Sequence, residues 1–186
     1  MSRLSRRTVV PALLVLVAVA GIGLYFFQPW KAFTDTTVNE SLPSASSPKA
    51  GSEMQSKKGM ESGGASAKEM SPKELAEGRF VTHEHDTSGT ARTVRLADGG
   101  QVLRLEDLKT SEGPDVRVYL SRRDADTVKD GLGDGAVQLG KLKGNRGSQN
   151  YAVPAGIDLS TFHSAVIWCH RFSVSFGAAD LGAGKS

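Results

Sequence analysis

Between residues 79 and 181 turn-forming residues recur about every 8 to 12 positions, a spacing that admits short strands and leaves little room for packed helices. The separators are Thr87-Ser88-Gly89, Asp98-Gly99-Gly100, Glu112-Gly113-Pro114-Asp115, residues 131–135, residues 144–147 and Pro154-Ala155-Gly156. Candidate strands fill the intervals at 79–85, 89–97, 101–105, 116–121, 137–142 and 149–153, and 165–176 follows as one bent strand or two. Residues 106–109 read as a single helical turn, and Asp98-Gly99 is the clearest hairpin signal. The pattern predicts an all-β fold, a single antiparallel β-sandwich or barrel-like domain. Its 108 residues from Arg79 onward suffice for one modest core.

The other end of the chain has a different grammar. Arg3, Arg6 and Arg7 precede an uncharged run from Thr8 to Phe27, closed by Gln28-Pro29-Trp30-Lys31. Twenty residues at about 1.5 Å each match the roughly 30 Å hydrocarbon core of a bilayer, so residues 1–30 read as an N-terminal membrane anchor. The arginines would stay in the cytoplasm, with Tyr25, Phe26, Phe27 and Trp30 at the far interface. This predicts a single-pass cell-membrane protein, N-terminus cytoplasmic, with everything after Lys31 outside the cytoplasm. The alternative is a cleaved signal peptide, because Ala18-Val19-Ala20 fits the small-residue cleavage pattern. The apolar run continues past Ala20 to Phe27, which suits an uncleaved anchor better.

Residues 31–77 are rich in Ser, Gly, Lys and Glu and bury too little apolar surface to offset the entropy of ordering. They read as a flexible, disordered linker, with a random-coil span of about 40 Å. Ser71-Pro72-Lys73-Glu74 reads as a helix start, so the linker is expected to end in a short helix closed by Gly78. Met54, Met60 and Met70 are scattered thioethers in low-complexity sequence and make no metal motif.

The net charge of +3 originates at the membrane flank. Residues 1–30 hold three Arg and no acid, 31–77 hold six Lys and seven acids, and 78–186 hold fourteen Lys/Arg and thirteen acids. A near-neutral folded part carries no footprint for nucleic acid.

Chemistry concentrates in residues 165–177, which contain the chain's single cysteine. Alternation sets Trp168, His170, Phe172, Val174 and Phe176 on one face, and Ile167, Cys169, Arg171, Ser173 and Ser175 on the other. Without a bulge, Cys169 and Arg171 share a face, and the guanidinium favours thiolate over thiol. Cys169 is therefore the candidate redox residue, with Arg171 biasing its ionisation and Trp168 packing beneath it. The bland reading is equally physical: free cysteine is among the most buried residue types and serves often as a small apolar filler. A lone cysteine in an exported chain cannot form an internal disulfide, so it is buried, reactive, a ligand, or paired with another molecule.

His83 and His85 stand two apart, as ligands on one side of a strand would, and Cys169 could complete a zinc, iron or copper site with them. A Cys-x-x-Cys-His haem attachment motif is absent. So are a Gly-x-Ser-x-Gly elbow, a phosphate loop and His-Glu-x-x-His. A thiol hydrolase would need a histidine base at the sulfur, and an ideal strand turns His170 away from Cys169. Asp124, Asp126, Asp130 and Asp134 lack the spacing and closing glutamate of a calcium loop.

Four segments taken together resemble one family: Leu103-Arg104-Leu105-Glu106-Asp107-Leu108, residues 113–121 from Gly113-Pro114-Asp115, residues 139–154 from Leu139-Gly140, and residues 166–181 around Trp168-Cys169. In order and along about residues 78–181 the sequence resembles the DM-thirteen domain, described as an electron-transfer domain of bacterial envelope and animal extracellular proteins. Leu108 stands where a phenylalanine is expected. The resemblance implies an extracytoplasmic β-rich domain of residues 78–186 in a membrane-anchored member of bacterial type, with Cys169 as its redox residue. Cofactors compatible with such a role are haem, iron or copper. The expected partners are the membrane, through the N-terminal helix, and a redox partner protein or envelope component. The chain thus reads as a non-enzymatic electron-transfer module, or alternatively as an envelope binding or structural module with Cys169 in the core.

Overall fold

In the chain's first segment the uncharged run forms the expected helix, α1 (Arg6–Phe27), with a proline at position 11. The structure, a computed structural model, describes residues 6–27, 34–43 and 71–183. Leu13, Leu14, Val15, Leu16 and Val17 follow one another around the helix and are each more than half exposed. Among the described residues, however, no helix is long and apolar enough to cross a membrane. The helix is present, and its crossing of a membrane is not shown.

The rest is one sheet. Its strands are β1 (Thr37–Asn39), β2 (Lys73–Thr82), β3 (Ser88–Arg95), β4 (Gln101–Lys109), β5 (Val116–Ser121), β6 (Val137–Lys141), β7 (Arg146–Ala152), β8 (Ser164–Cys169), β9 (Val174–Asp180) and β10 (Gly182–Ala183). They run in the order β1-β7-β4-β3-β2-β9-β8-β5-β6, with β10 also on β2. All pairs are antiparallel except β1 with β7. Of the two architectures expected, the barrel-like one is found: a single ten-stranded sheet that curls instead of splitting into a sandwich. β2 makes this possible. It runs along β3 from Lys73 to Arg79 and passes to β9 at Phe80–Thr82, so it joins both halves of the sheet. The far sides meet after β6, where the Lys143 amide donates to Tyr151 Oη at 3.0 Å and Gln149 Nε2 donates to the Gly144 carbonyl at 2.6 Å.

Three local expectations give way to this pairing. Residues 71–74 do not begin a helix, because Lys73 and Glu74 pair with Arg95 and Val94, and Glu74 and Glu77 both meet Arg92, at 3.4 and 3.3 Å. A backbone ladder with charge pairs outweighs a weak local capping signal. Residues 106–109 extend β4 through a bulge between Leu105 and Leu108, with Asp107 at φ +48°, instead of forming a helical turn. The third concerns the linker. Residues 34–43 lie along the domain as a strap: β1 pairs with β7, Asp35 meets Arg146 at 2.9 Å, and Glu40 meets Lys143 at 2.7 Å. The backbone amide of Thr36 donates to Asn145 Oδ1 at 2.7 Å, and its hydroxyl donates to Glu112. These partners fix the ten residues despite their polar composition. Residues 31–33 and 44–70, the remainder of the expected linker, lie outside the described residues.

Inside the curl sits the main core, with Leu103, Leu105, Leu120, Ile167, Phe176 and Cys169 among its buried members. The outer face of β5, β8 and β9 carries a second cluster, Tyr119, Val166, Trp168 and Ala178, capped by Ala125 and Val128 of α2 (Ala125–Val128). α2 is held by its first amide, which donates from Ala125 to Asp180 Oδ1 at 2.6 Å.

Candidate functional site

β8 is buried at all six positions because it lies between β5 and β9 and is covered on both faces. Inward-facing Ala165, Ile167 and Cys169 join the main core, and outward-facing Val166 and Trp168 join the second cluster. Cys169 is free and 0% exposed, paired in the ladder with Val116 and Val174. Trp168 therefore does not pack beneath the thiol. It points to the other side of the sheet, 6% exposed.

The regular alternation that would set Arg171 on the face of Cys169 does not continue past Cys169. β8 ends at Cys169, and Arg171 is exposed in a turn of residues 170–173 that is closed by Ser173 at φ +54°. Strand alternation stops there. A bulge between Ile167 and Trp168 slips Phe176 into β9 without a cross-strand partner, which lets the aromatic ring fill the core beside Gly113. A Cβ on Gly113 would stand 2.8 Å from Val116 Cγ2 and 3.1 Å from Phe176 Cζ, so the Gly-Pro-Asp loop closes this end of the curl only with glycine there. The loop is fastened twice. Asp115 accepts from Arg117 Nε at 2.9 Å and Nη2 at 2.8 Å, and its carbonyl accepts from the His170 amide at 2.8 Å. The Arg117 guanidinium holds the Asp115 carboxyl below the usual carboxylate range.

The two expected histidine ligands part company. His83 Nδ1 is 2.7 Å from Ser175 Oγ, directly across the ladder from Trp168, and burial followed by the charge of Lys129 pushes its pKa down. His85 packs against the Phe176 ring, 3.9 Å between centroids and tilted by 47°. Among the described residues no group of three or more His, Cys, Asp or Glu could hold a metal ion, so His83, His85 and Cys169 are not assembled into a site. A haem iron has no open approach to the Cys169 sulfur, which is 0% exposed in the core.

A feature not anticipated from sequence lies on the outer face. Tyr119, 7% exposed, shares the second cluster with Trp168, donates from Oη to Gln138 Oε1 at 2.9 Å, and lies 3.3 Å from His170 Nδ1. The available signal was its position in the 116–121 alternation, three residues after Val116 and one strand away from Trp168.

Residues 79–181 match the family model described as Electron transfer DM13. The chain belongs to that family. No curated protein and no solved structure matches it. The DM13 match spans β2 from Arg79 to the last residue before β10, so it takes in the main core with Cys169 and the second cluster, and leaves out the strap.

Proposed function

We propose that this DM13 protein is an extracytoplasmic electron-transfer module, tethered to the cell membrane by residues 8–27, in which Cys169 exchanges single electrons. The observation that carries the choice of chemistry is the complete burial of the thiol. Disulfide exchange requires a sulfur that another sulfur can reach, and Cys169 offers no such access. Electron tunnelling needs no contact with solvent. In the oxidising direction, the Cys169 S–H bond breaks, one electron goes to a one-electron acceptor carried by a partner protein, and the proton reaches solvent through local opening at the end of β8, because the closed fold leaves the sulfur 0% exposed. Trp168 and Tyr119, buried in one cluster on the opposite face of neighbouring strands, form the path from the sulfur's strand to the outer surface. Arg3, Arg6 and Arg7 before an uncharged run, and a helix apolar around its whole circumference, support the tether.

The test is stepwise oxidation of the full chain by hexachloroiridate(IV), followed by electron paramagnetic resonance, beside Cys169→Ala and Trp168→Phe. We expect a radical signal that is lost in Cys169→Ala and forms more slowly in Trp168→Phe. Alkaline extraction of membranes tests the tether, and the chain should stay in the pellet. A specific observation also favours a second reading: the sulfur's neighbours are apolar core residues, as for a filler. Identical oxidation of wild type and Cys169→Ala would establish that reading, a structural or binding module of the envelope.

A further inference from the structure

The end of the curl opposite Cys169 is open. β8 rises about 17 Å from Ser164 to Cys169, and at its start a cleft of about 530 Å³ opens between β2, β3, β4 and the 3-10 turn Leu159–Thr161. Leu75, Leu159, Phe162 and Leu181 supply apolar walls. Barrel mouths of this size and character are common small-molecule sites.

Thr93 faces this cleft from the middle of β3. It is 1% exposed, and its hydroxyl has no hydrogen-bond partner among the described residues. Its ladder neighbours are Ala76 and Leu103, neither of which offers a side-chain acceptor. A buried hydroxyl left unpaired costs about 1–3 kcal/mol, and valine has the same shape without that cost. Folding alone gives no reason for the hydroxyl.

The rim is acidic. Asp124, Asp158 and Asp180 line it, and Arg95 is the only Lys or Arg among the described lining residues. Asp180 Oδ1 accepts from the Ala125 amide at 2.6 Å, Asp158 Oδ1 from the Ser160 amide at 3.0 Å and hydroxyl at 2.7 Å, and Asp124 Oδ1 lies 3.1 Å from His163 Nδ1. Each of these bonds uses one oxygen of a carboxylate that can accept about four, so the rim retains capacity for a donor. Apolar walls, a surplus of carboxylates and one inward hydroxyl define a ligand with an apolar body and a positively charged head. A bare metal ion would gain nothing from the leucines and the phenylalanine.

We propose that this cleft binds a small organic cation, of the arylalkylamine class, with its apolar part between Leu159 and Leu181, its ammonium at the acidic rim, and an acceptor atom over Thr93. The site is separate from Cys169 and does not depend on the electron-transfer reading. The test titrates the full chain with phenethylamine and, in parallel, 3-phenylpropionate, followed by amide chemical shifts. Saturable shifts at Thr93, Leu159 and Leu181 are expected with the amine and not with the anion. Thr93→Val should raise the melting temperature of the ligand-free chain. An amine that also accepts a hydrogen bond, 2-phenoxyethylamine, should bind that variant about threefold to tenfold more weakly than wild type. Asp158→Asn, which keeps the bonds to Ser160, should weaken both amines. No saturable shift with either amine, equal binding of the anion, or a Thr93→Val variant unchanged in both stability and binding would overturn the proposal.

Discussion

Cys169 is enclosed by apolar side chains, and its substitutions separate size from polarity. Cys169→Ser places a hydroxyl where no partner is within reach and should cost about 1–3 kcal/mol in urea unfolding. Cys169→Ala removes the sulfur without stranding a polar atom and should cost less. Equal costs would mean that water reaches the site. His83 gives a pH signature. Burial, then the charge of Lys129, lowers its pKa in the folded chain, so the unfolded chain takes up the proton more readily. Its contribution is complete above the unfolded value of about 6.5 and is lost as pH falls from there toward the lowered folded value. Stability should therefore drop on acidification from pH 7.5 to 5.5, and His83→Gln should flatten that slope. Little of this was legible beforehand. The sequence located Trp168-Cys169 by composition, but alternation could be extended to Arg171 only if the strand continued, and a four-residue turn ends it. Thr93 was invisible because an unpartnered hydroxyl is a property of neighbours that come from β2 and β4.

The strap is an element held mostly by polar contacts, and two predictions belong to it. Gly147 sits at φ +92° with the β1 backbone against it at Val38, so a Cβ would meet the Val38 carbonyl. Gly147→Ala should lose about 1–3 kcal/mol and strip hydrogen-exchange protection from residues 37–39 while leaving β8 protected. Acid should do the same without a mutation. Burial raises the pKa of Glu40, but Lys143 and the Asn150 amide outweigh it, and Asp35 is lowered by its bonds to Arg146 and Asn145. Both carboxylates thus stabilise the strap above the ordinary carboxylate range, and that contribution disappears as pH falls below about 4. Exchange at residues 37–39 should quicken there before exchange in β8. Strands set by local alternation, such as β5 and the Asp98-Gly99 hairpin, were readable in the sequence. β1 and the start of β2 were not, because a Ser/Thr-rich stretch and a helix-start signature become strands only when β7 and β3 present their edges.

At the level of the whole molecule, the curl has two unlike ends. One is closed by the Gly113-Pro114 loop against Val116 and Phe176, and the other opens in the acidic cleft. The strap begins at the closed end, where Thr36 meets Glu112 and Asn145. Only residues 28–33 separate the end of α1 from the first residue seen at that end. Six residues reach no more than about 25 Å when fully extended, whereas an unattached linker of 47 would have wandered over a far larger volume. A donor at position 25 and an acceptor at position 111 should accordingly report a short, narrow distance distribution that broadens in Gly147→Ala. Whatever holds the first helix also rations how far the thiol end of the domain can drift.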